Sequence, residues 1–181
     1  ILPEYTPRAS HFIGNSSSGM SNYTLALEYL LQAHSTFEVL GMKKDLASSN
    51  GNIGTVYWNL SNYPNALDYY LKAVAACENL GMHAEAASFT GNIGNVYLLL
   101  SDYPNALKYM SKALAIHENL GNTLGVGRTL GNIASAYLAL SDYKQSLEYY
   151  FKALEYCQEI GLKEDVANIT GNIGNIYWCL E

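Results

Sequence analysis

Little in this sequence is built for covalent or electrostatic chemistry. The 181 residues include three cysteines, four prolines, four histidines and two tryptophans, and only 14% are charged. Cys77, Cys157 and Cys179 stand alone, so they form neither a disulfide framework nor a CxxC pair. That usage fits a reducing, cytoplasmic compartment. Ten Lys+Arg against sixteen Asp+Glu leave a net charge of −6. A binder that tracks a phosphate backbone needs the opposite balance, so nucleic acid is excluded as the expected partner. No run of about eighteen apolar residues occurs, so no membrane span is expected. Residues 1–10 lack the basic start and apolar stretch of a secretory signal. The chain begins at Ile1 rather than Met and reads as a piece of something longer. At 49% apolar it is too hydrophobic to be disordered.

What the sequence does have is a repeat. Shifted by 40 residues, GNIGTVYWNLSNYPNALDYYLKAVAACENLG (51–81) falls on GNIGNVYLLLSDYPNALKYMSKALAIHENLG (91–121), and 21 of the 40 positions in blocks 51–90 and 91–130 are identical without a gap. The frame continues through GNIASAYLALSDYKQSLEYYFKALEYCQEIG (131–161) to GNIGNIYWCL (171–180), and survives upstream in SNYTLALEYLLQAHSTFEVLG (21–41). Copies at a fixed 40-residue step indicate a solenoid rather than a duplicated domain.

Each unit reads as two helices. In the second, Asp102 is placed to cap, Pro104 sits in the first turn, and Ala106, Leu107, Met110, Ala113 and Leu114 recur at helical spacing. Gly121 follows where a left-handed cap is expected, as do Gly41, Gly81 and Gly161. The first helix is expected from about Ala84 to Leu100, with Ser101-Asp102 at the corner. Gly91 and Gly94 lie inside it, where each costs about 1 kcal/mol relative to Ala. Gly54, Gly94 and Gly174 are read as sites of close packing on Ala66, Ala106 or its equivalent. Gly51, Gly91, Gly131 and Gly171 serve either inter-repeat packing or clearance for a ligand backbone. Gly125 and Gly127 are expected to loosen the start of their helix, and residues 11–20 to form a degraded first helix.

Gly94, Tyr97, Tyr103, Ala106, Tyr109, Met110 and Ala113 match the small–large pattern of tetratricopeptide repeats in order and spacing. The 40-residue period resembles the LGN/Pins, kinesin-light-chain and bacterial Rap-like branch, including arrays attached to signalling domains. The resemblance implies an all-α, right-handed superhelical solenoid of antiparallel helix pairs with about four and a half repeats. Residues 1–181 are expected to form a single domain: a degenerate repeat over 5–41, repeats 42–81, 82–121 and 122–161, and an unpaired helix over 162–181. That terminal helix is expected to expose Ile173, Ile176 and Tyr177 and to support end-to-end self-association.

The resemblance also implies a concave face lined by the first helices and a scaffold function with a protein or peptide partner. The candidate peptide-binding residues are Asn52, Thr55, Asn92, Asn95, Asn132, Ser135, Asn172 and Asn175, with Arg128 and Trp58. A carboxamide carries both a donor and an acceptor, which suits a peptide group; the other reading of the Asn52 column is a tie between adjacent first helices. Trp58 and Trp178 read as edge anchors or as inter-repeat core, and Arg128 as a carboxylate partner or a residue paired within the chain. Chaperone-tail binders of the family need a lysine where this chain has Gly51 or Gly91. The alternative function is a regulatory or structural arm of a larger signalling protein, making only intramolecular or self-association contacts.

An enzyme needs unlike groups converging on one pocket, whereas the polar residues here recur in like columns about one repeat apart. Cys77, His117 and Cys157 share a column, but ligands of one zinc must all lie about 2.0–2.3 Å from it. No catalytic role, metal or cofactor is expected.

Overall fold

The computed structural model describes residues 23–180, which are helical except at their corners. Eight helices occur among these residues: α1 (Tyr23–Val39), α2 (Lys43–Asn59), α3 (Tyr63–Asn79), α4 (His83–Leu99), α5 (Tyr103–Asn119), α6 (Thr123–Ala139), α7 (Tyr143–Glu159) and α8 (Lys163–Leu180). The expected helix upstream of Tyr23, and Glu181, lie outside the described residues. The described residues divide into two compact units, with the boundary between Phe89 and Thr90. Within the first, α1 packs on α2 and α2 on α3; within the second, α5 packs on α6, α6 on α7, and α7 on α8. The fold class is all-α with consecutive helix pairs.

Two kinds of corner alternate, and each follows from its residues. After each second helix stands a glycine with positive φ, for example +62° at Gly121. After each first helix a serine takes the same left-handed conformation: Ser61, Ser101 and Ser141 have φ of 56°, 59° and 58°. At Ser101 the chain closes with a double bond pattern, Asp102 N–H to the Tyr97 carbonyl at 2.9 Å and Ser101 N–H to the Leu98 carbonyl at 3.0 Å. That pattern satisfies the last carbonyls of the helix. Asp102 then caps α5, its Oδ1 accepting the Asn105 N–H at 3.3 Å, with Pro104 in the first turn.

The helices bury alternating large and small residues. In the first unit Ile53 and Val56 close on Ala26 and Leu30, while Ala47, Cys77 and Ala86 form a second cluster. In the second unit Val126, Leu130, Tyr150, Ala153, Cys157 and Ile169 share one core. Ile173 and Ile176 belong to that core as well and are 8% and 0% exposed. This corrects the expectation that α8 exposes them: their side of the helix faces α7. The large apolar residues exposed on this helix are Tyr177, Trp178 and Leu180, at 51%, 77% and 56%.

The expectation of a loose start to α6 is also corrected. Asn122 accepts the Gly125 N–H at 3.0 Å, and the helix runs from Thr123 without a break. The two glycines are there for space. A methyl group on Gly125 would collide with the His117 imidazole, and one on Gly127 would lie 3.2 Å from Cys157 Sγ. They let α6 approach α5 on one side and α7 on the other.

His117 is 4% exposed, and its Nδ1 lies 3.1 Å from the Asn122 amide nitrogen. Burial pushes its pKa below the ordinary 6.5, and burial does the same, as the largest cause, to His34. A depressed imidazole pKa means that the unfolded chain takes up the proton first as the pH falls. The stability contributed by neutral His117 is therefore whole above about pH 6.5 and is lost as the pH drops from there to the folded-state pKa. The melting temperature should fall between pH 7.5 and 5.5, and His117→Cys, the residue found at this position in α3 and α7, should reduce that fall. For the corners, Ser101→Gly should raise stability by about 1 kcal/mol and Gly121→Ala should lower it by about 1–2 kcal/mol, read by chemical denaturation.

Candidate functional site

Between α6 and α8 the second unit opens into a cavity of about 310 Å³. Arg128, Gly131, Asn132 and Ser135 of α6 line it together with Asn168 and Asn172 of α8. These positions come together because residues 128, 131, 132 and 135 fall within two turns on one side of α6, and 168 and 172 one turn apart on α8. Tyr150 of α7 closes the base.

The polar groups of this cavity are tied into the fold at their roots. Ser135 Oγ donates to the Gly131 carbonyl at 3.0 Å and lies 2.9 Å from the Tyr150 hydroxyl. Burial raises the Tyr150 pKa, with hydrogen bonds to Ser135 and Asn172 acting the other way, so the phenol keeps its proton at neutral pH. At the rim Arg128 Nε donates to Asp165 Oδ2 at 3.2 Å. Arg128 is 60% exposed and Asp165 28%, so this pair contributes about 0–1 kcal/mol to stability. Of the two readings of Arg128, the internal ion pair is the one present.

The remaining candidates sit elsewhere. Asn92 and Asn95 are half-buried on α4 and Asn175 is exposed on α8; none of them lines the cavity. In the first unit Asn52 is half-buried and not free. Thr55 Oγ1 donates to the Gly51 carbonyl at 3.1 Å and accepts the Tyr70 hydroxyl at 3.1 Å. Trp58 is 38% exposed. The sequence reading missed the contribution of Tyr150, Asp165 and Ile169. A signal for the first was present: the column that reads Leu30, Tyr70, Met110, Tyr150 alternates in step with Thr55, Asn95 and Ser135.

The interior glycines separate into two roles. A methyl group on Gly54 would come within 2.8 Å of the Tyr70 ring, and one on Gly94 within 2.6 Å of Met110 Cγ and 3.1 Å of the Ala106 carbonyl oxygen. Gly94 thus meets the alanine expected of it, whereas Gly54 meets Tyr70 rather than Ala66. Gly174 has nothing within 4 Å, so the close packing expected of it is absent. Gly131 and Gly171 likewise face open space. Gly94→Ala should therefore cost about 1–3 kcal/mol through overpacking, while Gly131→Ala should stabilise by about 0.5–1 kcal/mol through helix propensity alone. Urea denaturation of the two variants beside the wild type reads both signs.

Among solved structures the chain is similar to BtubC (BKLC) from P. vanneervenii, with TM-score 0.79 and 20% identity over 88% of this chain and 66% of that one. It is similar to aspartyl phosphate phosphatase F from Bacillus subtilis, with TM-score 0.88 and 19% identity over 94% and 44% of the two chains. A Rap protein complexed with competence and sporulation factor gives TM-score 0.85 and 16% identity over 98% and 50%. At these identities the likeness is one of fold, and the chain spans 66% or less of each relative. No curated protein sequence matches it. The tetratricopeptide repeat pattern matches residues 5–79, 45–119, 84–159 and 125–181. With its columns of small and large residues on consecutive helix pairs, the chain belongs to the tetratricopeptide repeat family.

Proposed function

We propose that this chain is a non-catalytic protein-interaction scaffold that holds an extended segment of a partner along the inner side of its first helices. The observation that carries this reading is the cavity between α6 and α8, where Asn132, Asn168 and Asn172 meet around a bare glycine backbone. Each amide can serve a peptide N–H or C=O, and the open space at Gly131 lets a peptide main chain come close. The remaining groups there are an ion pair and a hydroxyl pair. Burial also pushes the Cys157 thiol up, away from the thiolate a nucleophile requires. In this reading residues 42–81, 82–121 and 122–161 are successive repeats of one array.

The Rap relative complexed with competence and sporulation factor supports a protein or peptide as the partner and a place in signalling. The acidic net charge and the described helices, none long and apolar enough to cross a membrane, support a partner that is neither nucleic acid nor lipid. Cys77 and Cys157 are buried free thiols and Cys179 an exposed one, which suits a cytoplasmic setting. A second reading, an arm of a larger protein that makes intramolecular or self-association contacts, is favoured by the exposed Tyr177 and Trp178 on α8.

A random-peptide display library panned on the chain tests the first reading. Enriched peptides should bind Asn132→Ala/Asn172→Ala at least about tenfold more weakly, as expected for two lost hydrogen bonds of about 0.5–1.5 kcal/mol each, with the helical circular dichroism unchanged. Equal binding to the double variant would rule the groove out.

A further inference from the structure

The two units carry the same polar arrangement 80 residues apart. Gly51, Thr55 and Tyr70 in the first correspond to Gly131, Ser135 and Tyr150 in the second. The side chains repeat one pattern of bonds: the hydroxyl of residue 55 or 135 donates to the glycine carbonyl at 3.1 or 3.0 Å, and pairs with the tyrosine hydroxyl at 3.1 or 2.9 Å. Among the neighbouring positions that differ, such as Ser48 against Arg128 and Ser88 against Asn168, the largest change in shape is Phe89 in the first and Ile169 in the second.

Phe89 fills the space over Gly51. Its ring lies so close to the glycine backbone that a methyl group there would collide with it. Its centroid is 6.4 Å from that of Tyr70, with 26° between the planes. Over Gly131 nothing lies within 4 Å, and Ile169 joins the Tyr150 core, leaving the cavity open. The first unit therefore shows what the second unit lacks: a planar ring seated on a bare glycine backbone.

We propose that the cavity over Gly131 is a socket for an aromatic side chain of the bound segment, which takes the place that Phe89 takes over Gly51. The proposal rests on the groove reading above and adds the side-chain class that the groove selects. A ring is preferred to a branched aliphatic chain because the equivalent glycine backbone of the first unit already seats one, Phe89 over Gly51. Asn132, at the same cavity, is placed to serve a flanking peptide group, as is the remaining hydrogen-bonding capacity of Asn172, whose side chain already bonds the Tyr150 hydroxyl.

The test uses two blocked tripeptides, acetyl-Ala-Phe-Ala-amide and acetyl-Ala-Leu-Ala-amide, titrated into the isotopically labelled chain and followed by NMR. The phenylalanine peptide should move the Gly131 and Asn132 amide signals with about fivefold higher affinity than the leucine peptide. Ile169→Phe, which rebuilds the plug of the first unit, should abolish that preference. Gly131→Ala, a change that favours the helix and places a methyl group where the ring sits, should weaken the phenylalanine peptide by a similar factor. It provides the answer should Ile169→Phe fail to fold. Equal affinity of the two peptides, with shifts at Asn132 and Asn172, would overturn the socket and leave the groove standing. A preference that survives both variants would also overturn it. Absence of any shift with either peptide would overturn both the socket and the groove.

Discussion

Where α4 crosses α5, a single methyl group on Gly94 would press against Met110 and against the carbonyl oxygen of Ala106. Helices this close leave no room for a side chain at residue 94, so the contact is made by the glycine backbone against Met110 and the Ala106 carbonyl. Ala66, Ala73, Ala106, Ala113 and Ala153 are all fully buried on the second helices, and Gly91 and Gly94 meet that surface at Ala113 and Ala106. The larger residues are displaced to the sides of the seam, where Ile53, Ile93 and Ile133 are each at most 2% exposed. The interior glycines at packed positions thus cost helix propensity but permit a contact that no larger residue allows.

Most of this was legible because it repeats. The 40-residue period, the caps at Asp102 and Gly121 and the alternation of small and large residues are local signals, and repetition in register turns weak signals into a strong one. The stacked tyrosines show what periodicity conveys and what it leaves out. Tyr57, Tyr97 and Tyr137 occupy one column of the 40-residue repeat. Their rings lie 5.5, 5.5 and 5.4 Å from those of Tyr69, Tyr109 and Tyr149. The pairing partner follows only once two helices are placed side by side, since twelve residues of sequence separate each pair. Ile173 and Ile176 were misplaced for the related reason that an apolar stripe has no label saying which neighbour covers it.

The candidate site was legible in its columns and not in its differences. Sequence identity across repeats pointed to the asparagines as one continuous row, yet the structure gathers only Asn132 and Asn172 from that row, with Asn168, around one cavity. A non-repeating neighbour distinguishes the two places: Phe89 covers Gly51 in one unit, whereas the corresponding Ile169 leaves Gly131 uncovered in the other. A column analysis treats such a position as noise. The same limit applies to Arg128: its exposure was readable from helical spacing, but its engagement with Asp165, 37 residues away, depends on α6 and α8 coming to the same cavity.

The cysteine positions have a practical consequence. Cys77 lies in the first unit and Cys157 in the second, both fully shielded, while Cys179 is open to solvent. A thiol-specific reagent will modify Cys179 at once and reach the other two only when their surroundings come apart. The molecule thus carries its own pair of reporters, one in each half, with a third as internal standard. Labelling kinetics resolved by peptide mass can show whether the halves open together or in sequence, with no residue altered.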